Sequence, residues 1–253
     1  MITEYHRPQT LKEALLLLSA PNTRPLGGGT VLTHLGDESF AVVDLQAIGL
    51  DKLHKSGNNL EIGATVTLQT LLESPHTPIA LKTALKLEVP LNLRNMGTVA
   101  GTLVTCDGRS PFAAVMLALD AWLTVDNGQP TAYSLGDFLP LRHDLLKSKL
   151  ITKIGIPLQT KLAFETVARS PADKPIVCAA LAQWPAGRTR LVIGGWGKVP
   201  TLAMDGNEAS AVEAAARNAA HDATDEWASA EYRSDVAAVL SKRCLDKILR
   251  DEE

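Results

Sequence analysis

The chemistry legible in this 253-residue sequence lies in two segments rich in glycine and threonine. The first is Leu26-Gly27-Gly28-Gly29-Thr30-Val31. Consecutive glycines let a backbone approach a ligand closely and aim successive N–H groups at one anion. No Gly-Lys-Ser/Thr follows and the GxGxxG spacing is absent, so neither a Walker loop nor a Rossmann fingerprint is present. The competing reading is a tight surface turn between a strand and a helix. The second segment runs from Leu93 to Leu103 and holds Asn95, Gly97, Thr98, Gly101 and Thr102. Read as a strand, so many small or β-branched polar positions pack poorly unless something else fills the space. Asp107-Gly108-Arg109-Ser110-Pro111 follows, and as plain structure is a turn before a helix. Two such loops, well separated in the chain, point to a long diphosphate ligand held between two parts of the fold.

Other chemistries drop out. There is no HExxH, no GxSxG elbow and no CxxC; the six histidines are scattered and the three cysteines, Cys106, Cys178 and Cys244, lie far apart. Three cysteines do not hold an iron–sulfur cluster, which needs four ligands. They suit a reducing compartment, and the opening residues show no apolar leader, so a cytoplasmic location is expected. No apolar run approaches ~18 residues, which argues against membrane insertion. A net charge of −3 argues against nucleic acid as the partner. At 45% hydrophobic and 4% aromatic residues, the core must rest on Leu, Val, Ile and Ala.

The elements that would position these loops follow from periodicity and punctuation. Thr10 and Glu13 form a capping box ahead of the face Leu11, Ala14, Leu15 and Leu18. A short second helix is expected near Thr30. Residues 41–45 and 60–64 read as strands; Thr67 and Pro78 open helices, and Pro111 starts another. Residues 122–125, 131–135 and 150–156 read as strands. From about residue 160, three alternating stretches (162–168, 176–184 and 190–194) suggest a small antiparallel sheet. Helices are expected over 209–220 and 230–249, the latter burying Tyr232, Val236, Val239, Leu240 and Cys244. Strands and helices without strict alternation indicate an α+β fold.

Taken together, the motifs resemble the FAD-binding subunit of the xanthine dehydrogenase and carbon monoxide dehydrogenase family of molybdenum hydroxylases. The first loop is similar to that family's AGG(S/T) motif. Ile62-Gly63-Ala64-Thr65-Val66-Thr67 resembles its IGA-x-VT, Arg94 to Gly101 its RN-x-GT-x-GG, and Leu117 to Ala121 its LALDA. Val167 to Asp173, Gly194-Gly195 and Tyr232-Arg233 find counterparts in its C-terminal domain. The resemblance implies a PCMH-type FAD-binding domain over 1–158, in subdomains of about 1–52 and 53–158, and a small C-terminal domain of antiparallel sheet and helices over 159–253. It implies FAD held by Leu26, Gly27, Gly28, Gly29, Thr30, Val31, Asn95, Thr98, Gly101, Thr102, Asp107, Leu150 and Asp173. No catalytic residue and no metal ligand is expected. Electrons would come from the clusters of an iron–sulfur subunit, fed by a molybdopterin subunit, and pass to NAD⁺, a quinone or O₂. The chain departs from the family pattern at Val31, Thr102 and Pro111, where it has fewer polar groups to offer a flavin, and at Ala100, which adds a methyl where backbone would touch the cofactor. A free-standing FAD oxidoreductase and a flavin-less scaffold are the alternative readings.

Overall fold

The computed structural model describes residues 1–32 and 38–250. The elements run β1 (Ile2–His6), α1 (Leu11–Leu18), β2 (Thr23–Leu26), β3 (Phe40–Asp44), β4 (Leu53–Ser56) and β5 (Asn59–Gly63). Four short helices follow, α2 (Leu68–Glu73), α3 (Ile79–Glu88), α4 (Leu91–Met96) and α5 (Val99–Thr105), and then α6 (Pro111–Ala118). Next come β6 (Trp122–Asp126), β7 (Thr131–Ser134), α7 (Leu135–Leu145) and β8 (Leu150–Pro157). The last part holds β9 (Lys161–Val167), β10 (Val177–Gln183), β11 (Thr189–Gly194), β12 (Thr201–Gly206), α8 (Val212–Ala220) and α9 (Ala230–Arg250). Two compact units form across the sequence rather than along it. One comprises 1–74, 91–105 and 122–155, the other 75–90, 106–121 and 156–253.

The first unit holds two sheets. One is three-stranded and parallel, in the order β1-β3-β2, with Ala14 and Leu18 of α1 packed on Val43 and Leu45. Half of the capping box forms: Thr10 Oγ1 accepts the Glu13 N–H at 3.2 Å, but the Glu13 carboxylate reaches past Thr10 to the N–H of Gln9. The other sheet has the order β4-β5-β8-β6-β7.

The segment from residue 94 to 105 is not a strand, as its composition suggested, but the end of α4 followed by α5. Only a single bridge, Thr67 to Thr98, is sheet-like. Thr98 Oγ1 then takes the Gly101 N–H at 3.1 Å. The hydroxyls of Thr102 and Thr105 donate to the carbonyls four residues back, both at 2.9 Å. Those bonds make β-branched threonines acceptable in a helix. Helix α7 also escaped the sequence reading, because Pro140 sits inside it. Strands β1, β4 and β12 were likewise not anticipated; the first two are largely exposed and carry no apolar alternation. The short helix expected near Thr30 falls partly on residues 33–37, outside the described residues.

The second unit is built on the antiparallel sheet β12-β11-β10-β9. Its central strands β10 and β11 are buried almost throughout, because α8 and α9 cover one face and α6 packs on the other. Helix α6 is itself buried on every side. Ser110, expected to be an incidental turn residue, is fully buried and caps α6 through the Ala113 N–H. It also donates to Glu88 Oε2 at 2.8 Å, and the same oxygen takes the Phe112 N–H at 3.0 Å. The buried stripe of α9 is displaced from the expected one. Tyr232 and Val239 are about half exposed, and Arg233, Ala237, Leu240, Cys244 and Ile248 face inward. Hydropathy does not foresee a buried arginine.

Burial pushes the Glu88 carboxyl above its ordinary 4.5, against the bonds from Phe112 and Ser110. A carboxyl raised in the folded state contributes stability that is complete below its unfolded value and is lost as pH rises through its folded value. Glu88→Gln keeps an acceptor for both donors and removes the charge. Chemical denaturation should therefore show stability falling less between acid and neutral pH in the variant than in the wild type. Equal pH slopes would refute the role given to Glu88.

Candidate functional site

A cleft of about 470 Å³ opens within the first unit, a size typical of small-molecule sites. The glycine loop leaves β2 at the edge of the parallel sheet, and Leu45, just past β3, lines the cleft beside it. Ligands commonly bind outside the carboxyl ends of parallel strands. The second segment contributes Thr98, Ala100, Gly101 and Val104, and the turn after β5 adds Ala64 and Thr65. The wall is completed by the end of α7 and the start of β8, from Arg142 to Ile151. The strands β5 and β8 are neighbours, and the Ala64 N–H donates to Thr152 O at 3.2 Å.

The two glycine segments touch. A Cβ on Gly28 would stand 1.8 Å from the Met96 carbonyl oxygen, and one on Gly27 would stand 2.9 Å from Thr98 Oγ1. The first loop is therefore not the free surface turn that sequence alone allowed. It abuts backbone, and its glycines serve that junction as well as the cleft. Gly29 has φ +70°, a left-handed conformation that side chains resist.

The polar character of the cleft is one-sided. Thr65 is 8% exposed and lines the cleft, and its Oγ1 has no hydrogen-bond partner among the described residues. A buried hydroxyl left so costs about 1–3 kcal/mol; a ligand acceptor would recover that. Arg24, Arg142, His143, Lys147 and Lys149 also line the cleft, and none of its described lining residues is Asp or Glu. Arg24 is paired with Glu38. Val104, Leu146, Leu150 and Ile151 supply apolar surface.

Of the thirteen expected cofactor residues, the structure brings Gly27, Gly28, Gly29, Thr30, Val31, Thr98, Gly101 and Leu150 to this cleft. Leu26 ends β2 beside it. Asn95 is exposed on α4, and the Thr102 hydroxyl is engaged by Thr98 O. Asp107 and Asp173 belong to the second unit. Asp107 accepts the Arg109 N–H at 2.9 Å and pairs with Lys174 at 2.8 Å. Asp173 is exposed, beside a pocket of about 270 Å³ that Arg169 and Ser170 also line. Sequence reasoning missed Thr65 and the basic stretch from Arg142 to Lys149. Four cationic or imidazole side chains within eight residues were the available signal.

Among the described residues no group of three or more His, Cys, Asp or Glu converges as metal ligands do, and no helix is long and apolar enough to cross a membrane. All three cysteines are buried, and burial pushes the Cys178 thiol up to about 12.

Residues 1–159 match the family model described as the FAD binding domain in molybdopterin dehydrogenase. The protein YgfM of Escherichia coli K12 is 29% identical over 248 residues, covering 95% of this chain and 94% of that one. The carbon monoxide dehydrogenase medium chain of Afipia carboxidovorans is 28% identical over 279 residues, covering 96% of each. Among solved structures, quinoline 2-oxidoreductase from Pseudomonas putida 86 superposes with a TM-score of 0.81 at 23% identity, over 98% of this chain and 97% of that one. At that identity the superposition establishes the fold.

Proposed function

Since the chain belongs to the family of FAD-binding domains in molybdopterin dehydrogenases, we propose that it is the flavoprotein subunit of a molybdenum hydroxylase complex and passes electrons from an iron–sulfur subunit to an external acceptor. The observation that carries this reading is the cleft where the two glycine segments meet, free of carboxylates among its described lining residues and holding the orphaned Thr65 hydroxyl. These residues fit FAD. The backbone of Gly27 to Thr30 would hold the diphosphate, with Thr98 and Gly101 lining the cleft beside it, Thr65 would donate to a polar edge, and Leu150 and Ile151 would shield the site from water. The flavin supplies the redox chemistry; the protein binds and orients it. Asn95, Thr102, Asp107 and Asp173 remain part of the proposed set, with the contacts reported above.

On this reading residues 1–158 are the flavin domain and 159–253 the C-terminal domain, a division by sequence module distinct from the interleaved packing units. The partners are an iron–sulfur subunit and a molybdopterin subunit. Relatives named as medium chains and medium subunits support such an assembly. The location is cytoplasmic, in keeping with three buried free thiols.

Heat release from the purified chain, followed by chromatography, should yield FAD. FMN alone, or no flavin after reconstitution with excess FAD, would overturn the reading. With cognate partner subunits and their substrate added, the flavin absorption band should bleach. Bleaching by NADH without partners would instead identify a free-standing oxidoreductase.

A further inference from the structure

The first glycine loop carries no charge, and in the second segment the N–H groups of Val99, Ala100 and Gly101 already donate to Val66 O, Ala64 O and Thr98 Oγ1, whereas a diphosphate brings about two negative charges. The wall formed by the end of α7 and the turn into β8 carries Arg142, His143, Lys147 and Lys149. Arg142 and His143 lie in the last turn of α7, where cations also complement the helix dipole. That account does not extend to Lys147 and Lys149, which lie beyond the helix. Lys147 is exposed and held by Asp144 at 2.7 Å. Lys149 is half-buried against the cleft, and among the described residues its ammonium has neither an ion pair nor a hydrogen bond. A cation left unpaired beside a cleft with no carboxylate on its described lining is matched to an anion.

We propose that this basic wall, with Lys149 as its principal member, is the counter-charge for the diphosphate of FAD and sets the chain's affinity for a dinucleotide flavin. The proposal rests on the flavin reading above. Lys149 is a binding residue here and takes no part in redox chemistry.

The test is FAD titration of the apoprotein at low and high ionic strength, in the wild type and in Lys149→Ala, Lys149→Glu and Lys149→Arg. Lys55→Glu, an exposed β4 position that does not line the cleft, controls for net charge. Lys149→Ala should weaken FAD binding roughly ten- to a hundredfold, and Lys149→Glu further. The salt dependence of affinity should become shallower in Lys149→Ala. Lys149→Arg and Lys55→Glu should bind as the wild type does, and thermal melts should show every variant folded. A wild type that binds FAD while the Ala and Glu variants match its affinity and salt dependence overturns this inference alone. A wild type that binds no FAD overturns the flavin reading with it.

Discussion

Gly28→Val should abolish measurable FAD binding and, in the same protein, lower the thermal stability of the flavin-free chain. Its Cβ would fall 1.8 Å from the Met96 carbonyl oxygen and 2.5 Å from the carbonyl carbon. The obstacle is backbone, so no rotamer change relieves it, and the two glycine segments must separate. We expect a loss of at least ~3 kcal/mol, the upper range for overpacking a close contact. Flavin affinity should fall more than a hundredfold, because both segments line the cleft. A surface loop whose glycines served only the ligand would lose FAD with its melting temperature unchanged. The two measurements on one variant therefore separate a binding loop from a structural junction. Gly101→Val is expected to be gentler on the fold, since its Cβ would meet only the Thr98 hydroxyl, at 2.8 Å, and Gly101 is exposed.

The second large effect is expected at Asp225. The Arg233 side chain is fully buried and donates to both Asp225 oxygens, at 2.8 and 2.9 Å, and to Ala223 O at 2.8 Å. Asp225→Ala would leave that guanidinium as a buried cation without its counter-ion, a change that costs ~3–5 kcal/mol. For a chain of this size that is a drop of roughly 10 °C in melting temperature. Adding Arg233→Met should recover part of the loss, because the second change removes the stranded charge. A single variant that melts with the wild type, or a double variant no better than the single, would contradict the assignment. Burial works against the Asp225 charge, but bonds from the Trp227 N–H, the Arg233 guanidinium and the Ala228 N–H outweigh it and hold the carboxyl below its ordinary 3.8. The pair's contribution is thus complete above that value and fades as pH falls through the folded one.

Much of the architecture was legible in the sequence because the signals were local. Thr10 and Thr67 accept N–H groups three residues on, and Pro111 opens α6. A side chain and the backbone it caps lie within one turn, so residue order alone reports the contact. The strands β9, β10 and β11 were legible for the same kind of reason, as alternating stretches between turn residues, although β10 and β11 prove buried on both faces.

Where the outcome depended on a distant partner, the sequence was silent or misleading. Composition made residues 94–105 look extended; Val66 and Gly97 offered only one bridge, and threonine hydroxyls satisfied a helix instead. Hydropathy placed the α9 stripe over Tyr232 and Val239, because nothing near Arg233 in the helix announces that Asp225 will neutralise it. The candidate site divides along the same line. The two glycine segments were visible as composition, since glycine and threonine are local requirements of a backbone that must come close to something. What they come close to was decided by the tertiary structure: first each other, through Gly28 and Met96, and then a wall holding Thr65 and Lys149 that reaches them only because β5 and β8 lie side by side. Local preferences are written in neighbouring residues. The charge and the unpaired hydroxyl of a cleft arise where segments remote in sequence converge, and only the packed chain brings them there.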